Sequence, residues 1–403
     1  MMKAQIWTKD FLLNALVNFL VYLVYFLLMI IIAGYAVDNL QASLSEAGLA
    51  VGLFIVGALF ARFFGGKSVE LVGRQKMLYI GLTVYMIATL LYFKSTNLHF
   101  LFFIRFFHGI GFGLVTVATG TIVASIIPRD RRGEGISYYA MSSTLASAFG
   151  PFLGIYLNQQ VSFNAILVIC IVLVVICYIA AFLLKVPEAA LTAAQLENMK
   201  RFTLSNFIEF KALPISTIAA ILGLCYSGIV GFIASYTREI NLIEAGSFFF
   251  IVYSAAILIS RPLTGRWFDL KGEGFVLYPS FVLFAIGLAI LSLARQDFSL
   301  LLAGMFIGLG FGTFLSSGQA VAIKSSSGHR MGLATSTFFA ITDIGVGLGP
   351  FFLGLLVPFF GFRGLYMCMA GVVLLTMGLY YLVCGKKAQS EARFIQEAVP
   401  ENR

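Results

Sequence analysis

Two stretches of this chain, 199 residues apart, follow one pattern. Ala61-Arg62-Phe63-Phe64-Gly65-Gly66-Lys67-Ser68-Val69-Glu70-Leu71-Val72-Gly73 and Ser260-Arg261-Pro262-Leu263-Thr264-Gly265-Arg266-Trp267-Phe268-Asp269-Leu270-Lys271-Gly272 share the frame Arg-x3-Gly-x3-acid-x2-Gly. The same shift carries Gly109-Ile110-Gly111-Phe112-Gly113 onto Gly308-Leu309-Gly310-Phe311-Gly312, and Gly150-Pro151-Phe152 onto Gly349-Pro350-Phe351. A chain that repeats itself at one fixed offset is built from two parallel copies of one unit, and any fold assigned to it must divide accordingly.

Each copy holds six long apolar runs. Stretches of about 20 apolar residues cross a hydrocarbon core of roughly 30 Å, and they fall at 9–34, 47–66, 77–96, 98–127, 135–157 and 163–186. The second six are 213–236, 246–266, 275–294, 298–323, 331–358 and 363–384. With 60% hydrophobic and 11% charged residues, this is the composition of a polytopic membrane protein. The runs show no period-2 alternation, so they are helices, the form that satisfies its own backbone in lipid. The first is too long for a signal peptide and lacks a small-residue cleavage pattern.

Charge sets the expected orientation. With both termini inside, 20 of the 27 Lys and Arg lie in cytoplasmic segments and only Lys94, Arg238, Arg295 and Arg363 lie outside. That asymmetry follows the positive-inside rule and accounts for the net charge of +9 without nucleic acid; the basic inner face also suits anionic lipid headgroups. The polar segment 187–212 reads as a cytoplasmic linker between halves 1–186 and 213–385, with a charged cytoplasmic tail at 386–403. Within the linker, residues 189–200 form either a short amphipathic helix on the membrane surface or a solvated connection. Cys170, Cys177, Cys225, Cys368 and Cys384 fall within spans and read as small core residues without disulfides.

Gly66-x3-Glu70-x2-Gly73-Arg74-Gln75-Lys76 between spans two and three, Arg105-x2-His108-Gly109 in span four and Gly150-Pro151-Phe152-Leu153-Gly154 in span five resemble motifs of the major facilitator superfamily. Glu70 stands where the family pattern has Asp, and Leu71 where it has a basic residue. The second Gly-Pro copy gains one residue before its last glycine, Gly354. The resemblance implies an all-α fold of 12 transmembrane helices in two six-helix halves related by a pseudo-twofold axis, each with inverted three-helix repeats. It also implies a latch at the cytoplasmic ends of helices two and eight, formed by Gly66, Glu70, Gly73, Arg74, Gly265, Asp269 and Gly272. In the helix-five motif the resemblance is to the drug:proton antiporter group.

Of the 18 acidic residues, Asp343 alone falls in the interior of a span. A carboxylate at that depth must be paired, face water or take up a proton, so Asp343 is either a proton carrier or the structural partner of an arginine. Arg105 is a permanent cation in helix four that needs an acceptor or a wet cavity, and the resemblance associates it with proton coupling. His108, one turn later, either relays a proton or is a satisfied core residue. Arg62 and Arg261 sit one turn before the motif glycines, where they either snorkel to the inner headgroups or take part in gating.

Asn14, Asn18, Tyr22 and Tyr25 share one face of helix one, which suggests a polar cavity lining. Gly111 and Gly113 are expected to line the cavity without filling it, and Tyr226, Ser227, Tyr236, Ser336 and Thr342 are further candidates in the second half. Gly150-Pro151 and Gly349-Pro350 are expected hinge bends. The glycine tracts follow no strand, and no Walker motif, metal cluster or nucleophile arrangement points to ATP use or catalysis. The expected function is secondary transport by alternating access, with the proton as coupling ion, no other cofactor, and export of a small amphiphilic drug or metabolite. A proton-coupled importer, a uniporter, a non-transporting sensor and a lipid flippase are the alternatives. The protein is expected to work as a monomer in the plasma membrane, with lipids and a small-molecule substrate as its partners.

Overall fold

The computed structural model describes residues 5–42, 44–187, 197 and 203–385. The tail and most of the linker, including the 189–200 segment apart from Glu197, lie outside the described residues. Among the described residues there is no strand, and twelve helical stretches are long and apolar enough to cross a membrane.

The first six helices are α1 (Lys9–Leu40), α2 (Leu44–Val72), α3 (Arg74–Leu91), α4 (Leu98–Ile126), α5 (Arg132–Gln160) and α6 (Phe163–Leu183). Short polar side chains that accept from first-turn amides set three of their starts: Thr8 from Phe11, Asn97 from Phe100 and Ser162 from Ala165. The second copy comprises α7 (Leu213–Glu239), α8 (Ile243–Lys271), α9 (Glu273–Leu293), and α10 (Asp297–Ile307) with α11 (Thr313–Lys324) in one span through a π turn at Gly308–Gly312. It ends with α12 (Met331–Tyr380), which holds the last two spans and is broken at Gly361 (φ 64°, ψ 172°).

The Arg-x3-Gly-x3-acid-x2-Gly frames are not loops. Helix α2 continues to Val72 and α8 to Lys271, so Glu70 and Asp269 are helical, and the chain turns on a single glycine at each site. Gly73 (φ 99°) and Gly272 (φ 86°) take conformations that side-chain-bearing residues avoid, so the duplicated glycine is a backbone requirement in both copies.

The chain folds into two compact units: Met1–Glu209 with Ile323–Ala340, and Phe210–Ala322 with Ile341–Arg403. The first unit therefore takes in the start of α12. Gly332 packs against Val69 and Thr121, and Gly66 packs against Ser336 and Leu333. Ser336 donates its hydroxyl to the Arg62 carbonyl, and Arg330 pairs with Glu209. The end of the linker is anchored here too: Phe207 stacks on Phe63 at 5.2 Å and the Glu209 amide donates to Thr337 Oγ1 at 3.0 Å.

The duplication is visible in the packing of each unit. Gly109 lies against Phe54 and Ala58 of α2, and Gly308 against Tyr253 and Ala256 of α8; Gly111 lies against Tyr85 of α3, and Gly310 against Phe284 of α9. Gly113 meets Ala58 and Ala61, and Gly312 meets Ile257. The pairs Phe54/Tyr253, Tyr85/Phe284 and Ala58/Ile257 obey the 199-residue shift. Inside lipid, association is driven by close packing, and these tracts let backbones approach where a methyl group would collide.

Gly150 seats α5 on Leu23 and Phe26 of α1, and Gly349 seats α12 on Leu224 and Ser227 of α7. At the expected bends helical geometry continues: α5 runs unbroken through Pro151, and in α12 the non-helical residue is Gly361, well past Pro350. Both Gly-Pro pairs mark seams where the first helix of each copy is gripped. Cys170, Cys177 and Cys225 are buried as expected, whereas Cys368 is exposed on the helix surface.

Candidate functional site

The polar face of α1 does not form one lining. Asn14 and Asn18 are buried and tie α1 to α4 and α5, whereas Tyr22 and Tyr25 are only half-buried. Asn18 Nδ2 donates to Ser142 Oγ at 2.8 Å, and its Oδ1 accepts from Tyr139 Oη at 2.8 Å. Thr119 Oγ1 lies 2.9 Å from the same Tyr139 hydroxyl, and Asn14 Nδ2 donates to the Thr119 carbonyl at 2.9 Å. In an apolar surround such bonds fix the register of three helices, so Asn14 and Asn18 act as an interhelical clamp and not as cavity wall. Gly111 and Gly113 likewise line no cavity here, because helices α3 and α2 cover them.

One turn further along, α1 is aromatic. Tyr25 stacks on Phe54 at 4.8 Å, Phe112 lies 5.0 Å from Tyr25 and 4.9 Å from Tyr22, and Phe54 and Phe112 are 5.2 Å apart. The Arg62 guanidinium lies over Phe112 at 5.9 Å and over Phe339 at 5.5 Å. At 4% exposure Arg62 does not snorkel, nor does Arg261 at 5%. The second unit holds a comparable cluster, with Phe311, Tyr253 and Arg261 at the 199-residue counterparts of Phe112, Phe54 and Arg62 and Tyr226 at that of Leu27: Tyr226 stacks on Phe311 at 4.2 Å and on Tyr253 at 5.6 Å, and Arg261 is within electrostatic reach of Tyr253. Each unit thus holds a buried arginine beside an aromatic cluster.

Arg105 and His108 come together in a sealed cluster at the opposite end of α2 and α4. Arg105 donates through Nε to the Ala50 carbonyl at 2.9 Å and through a terminal nitrogen to Tyr92 Oη at 3.3 Å, and its guanidinium lies over Phe54 at 4.7 Å. Its other terminal nitrogen has no hydrogen-bond partner among the described residues. His108 contacts Tyr92 Oη through Nδ1 at 3.2 Å and Thr89 Oγ1 through Nε2 at 3.4 Å, under the Tyr85 ring at 4.1 Å.

Asp343 belongs to the other unit, where it is half-buried on α12 next to buried Thr342. The three residues expected to share proton coupling are therefore divided between the units. Ser336 is not cavity wall, since it is spent on the Arg62 carbonyl and the Gly66 seam. Tyr236 is closed into packing by donating to the Leu291 carbonyl at 2.7 Å, and Ser227 donates to the Leu224 carbonyl at 2.7 Å beside Gly349.

At the α2–α3 turn, Arg74 grips Glu70 with Nε 3.1 Å from Oε2 and a terminal nitrogen 2.9 Å from Oε1, and its third nitrogen donates to the Pro187 carbonyl at 2.7 Å. Both side chains are almost wholly buried. Position 273, the counterpart of Arg74, is Glu273, which accepts from Tyr380 Oη at 3.3 Å; the second copy keeps Gly265, Asp269 and Gly272 but not this pair. Removing one partner of a buried pair costs about 3–5 kcal/mol, whereas apolar replacement of both is far milder. Glu70→Ala is therefore expected to lower the thermal stability of the purified protein strongly, and Glu70→Met/Arg74→Met to lower it less. Equal melting of Glu70→Ala and wild type would count against the pair as an anchor.

Sequence reading missed Thr119, Tyr139 and Ser142, and also Tyr92 and Thr89. Tyr139 and Ser142 do share a helical face, but nothing in their spacing says that α5 turns that face to α1. Tyr92 lies at the end of span three, where the interfacial preference of tyrosine hides its role as partner to Arg105.

The Major Facilitator Superfamily family model matches residues 15–251 and again 239–400, which together cover nearly the whole chain. The chain belongs to the major facilitator superfamily. It is 25% identical over 343 residues to an uncharacterized MFS-type transporter of Methanocaldococcus jannaschii, covering 83% of this chain and 88% of that protein. It is 24% identical over 362 residues to the staphylopine export protein of Staphylococcus aureus, covering 85% and 88%. To the multidrug resistance protein MdtG of Salmonella arizonae it is 24% identical over 337 residues, covering 80% of each. The crystal structure of the human organic anion transporter MFSD10 shares its fold with a TM-score of 0.72 at 13% identity, covering 92% of this chain and 98% of that one. This superfamily member is a multi-pass membrane protein and a transporter by descent.

Proposed function

We propose that the protein exports a small amphiphilic compound in exchange for protons by alternating access, as a carrier and not an enzyme. In this reading it sits in the plasma membrane with both termini in the cytoplasm, works as a monomer and needs no cofactor beyond the coupling proton. The observation that carries the coupling is the Arg105–His108 cluster. A titratable imidazole is held beside a permanent cation and hydrogen-bonded to two neutral hydroxyls, Tyr92 and Thr89, so its protonation is sensitive to any charge that approaches. Asp343, the one acidic residue in the interior of a span, is the second titrating group. Export is favoured by the similarity to proteins named for staphylopine export and multidrug resistance.

The test is flux in proteoliposomes with an imposed pH gradient, using a panel of fluorescent amphiphiles. Uphill movement against the direction of proton entry, stopped when nigericin dissipates the gradient, is the expected result. Equal downhill flux with and without the gradient would make the protein a uniporter, and uphill movement with the protons an importer.

A further inference from the structure

At the end of the second unit away from the α8–α9 turn lies a hollow of about 550 Å³, lined by Glu239, Ile240, Arg295 and Arg363. Local structure fixes the backbone at each charged position. Glu239 ends α7, where the chain turns on Asn241 (φ 58°) and the Leu242 amide donates to the Thr237 carbonyl at 2.8 Å. Arg295 lies between α9 and α10, its amide donating to Ser299 Oγ at 3.3 Å. Arg363 follows the break at Gly361, and its terminal nitrogens donate to the Ser292 and Ala294 carbonyls at 3.4 and 2.8 Å. A guanidinium carries five N–H donors, so Arg363 keeps others to offer.

These charges are not spent on one another. Among the described residues, the side chains of Glu239 and Arg295 form no hydrogen bond or ion pair, although both line the same space as Arg363. Their 199-residue counterparts and that of Arg363, Leu40, Thr96 and Asn164, carry no charge, so the pattern was not copied with the scaffold. Arg295 and Arg363 are also two of the four basic residues that charge asymmetry assigns to the outer side, where the positive-inside rule disfavours them. The chain beside them is apolar and exposed: Leu293 and Phe298 flank Arg295, and Phe359 and Phe360 precede Arg363. At the ends of membrane-spanning helices such side chains meet acyl chains, and charged neighbours stand at headgroup level.

We infer that this hollow binds the headgroup of a phospholipid bearing a primary amine, with its phosphate at Arg295 and Arg363 and its ammonium at Glu239. The guanidinium fork matches phosphate oxygens, and an ammonium donates hydrogen bonds to a carboxylate that a trimethylated amine cannot. The carboxylate in turn disfavours a headgroup that brings negative charge alone. A lipid suits the place better than a free solute, because the exposed Leu and Phe side chains beside the charges offer its tails a surface. The site is separate from any cargo site and does not depend on the transport reading.

The test is native mass spectrometry of the delipidated full-length protein, titrated with dioleoyl phosphatidylethanolamine, phosphatidylcholine or phosphatidylglycerol, and with glycerophosphoethanolamine as the tail-free headgroup. The first phosphatidylethanolamine is expected to bind about threefold more tightly than the first phosphatidylcholine, the size of effect an exposed charge pair gives. Glu239→Gln is expected to bring phosphatidylethanolamine down to the phosphatidylcholine level. Arg295→Gln is expected to weaken both by about threefold, since both carry the phosphate. Equal binding of the two lipids by the wild type overturns the inference, as does phosphatidylethanolamine binding that neither substitution changes. Tightest binding of phosphatidylglycerol would remove Glu239 from recognition and overturn it as well. Glycerophosphoethanolamine bound as tightly as the intact lipid would assign the hollow to a soluble phosphate and overturn the lipid. Arg363 is left unchanged because it also holds two carbonyls, whereas Glu239 and Arg295 are exposed. Should one variant melt early, the other variant and the lipid preference of the wild type decide.

Discussion

Asp343→Asn is expected to abolish proton-driven accumulation, by at least about tenfold, while substrate counterflow without a gradient stays within a few-fold of wild type. The physical basis is the scarcity of titratable groups at depth: charge there is costly enough that a carboxylate is retained for pairing or for carrying a proton. Asparagine keeps the shape and the hydrogen-bonding capacity of the protonated acid but cannot ionise. A carrier so altered still exchanges substrate for substrate but no longer couples that exchange to proton entry. The check is a pair of measurements on one preparation, pH-driven flux and counterflow. Driven flux at the wild-type level would remove Asp343 from coupling, and loss of both activities with normal melting would make it a substrate contact.

The second large effect is expected at the duplicated glycine seams. Gly109→Leu drives a side chain into the α2 backbone, with the Phe54 carbonyl carbon 2.8 Å and the Ala58 nitrogen 3.0 Å from the first added carbon; Gly308→Leu does the same against Tyr253 of α8. Backbone cannot rotate away as a side chain can, so each change is expected to cost about 3 kcal/mol, the upper part of the overpacking range. Gly52→Leu and Gly371→Leu, where nothing lies within 4 Å, are controls expected to stay within about 0.5 kcal/mol of wild type. Melting of the purified variants distinguishes the sets. A tolerated Gly109→Leu would mean that α2 and α4 do not meet as closely as described.

Asp343 is legible in the sequence because hydropathy isolates a lone acid in a 20-residue apolar run. The seams are half legible: the glycine tracts stand out, yet Gly111 and Gly113 read as cavity lining because spacing does not show which helices cover them. The same ambiguity affects α1. Four polar residues at helical spacing share a face, but a face some 100° wide can meet two neighbours, and here Asn14 and Asn18 meet α4 and α5 while Tyr22 and Tyr25 meet the aromatic cluster. The latch frames mislead for a different reason. Polar residues after an apolar run look like a loop, although in both copies helical geometry continues up to the one residue, Gly73 or Gly272, that must turn.

By itself the sequence determined twelve helices, their pairing into two copies, and the family. Each follows from properties carried along the chain: an apolar run long enough to cross lipid, backbone groups that must be satisfied within it, and a pattern repeated at 199 residues. Tertiary structure alone decided which helical faces meet, which groups partner Arg105 and His108, and that Ile323–Ala340 packs with the first unit. The reason lies in the solvent. In water a phenylalanine announces the core, but in lipid Phe359, 82% exposed, and Phe249, fully buried, satisfy the same hydropathy. Inside and outside are written alike, and only the packing tells them apart.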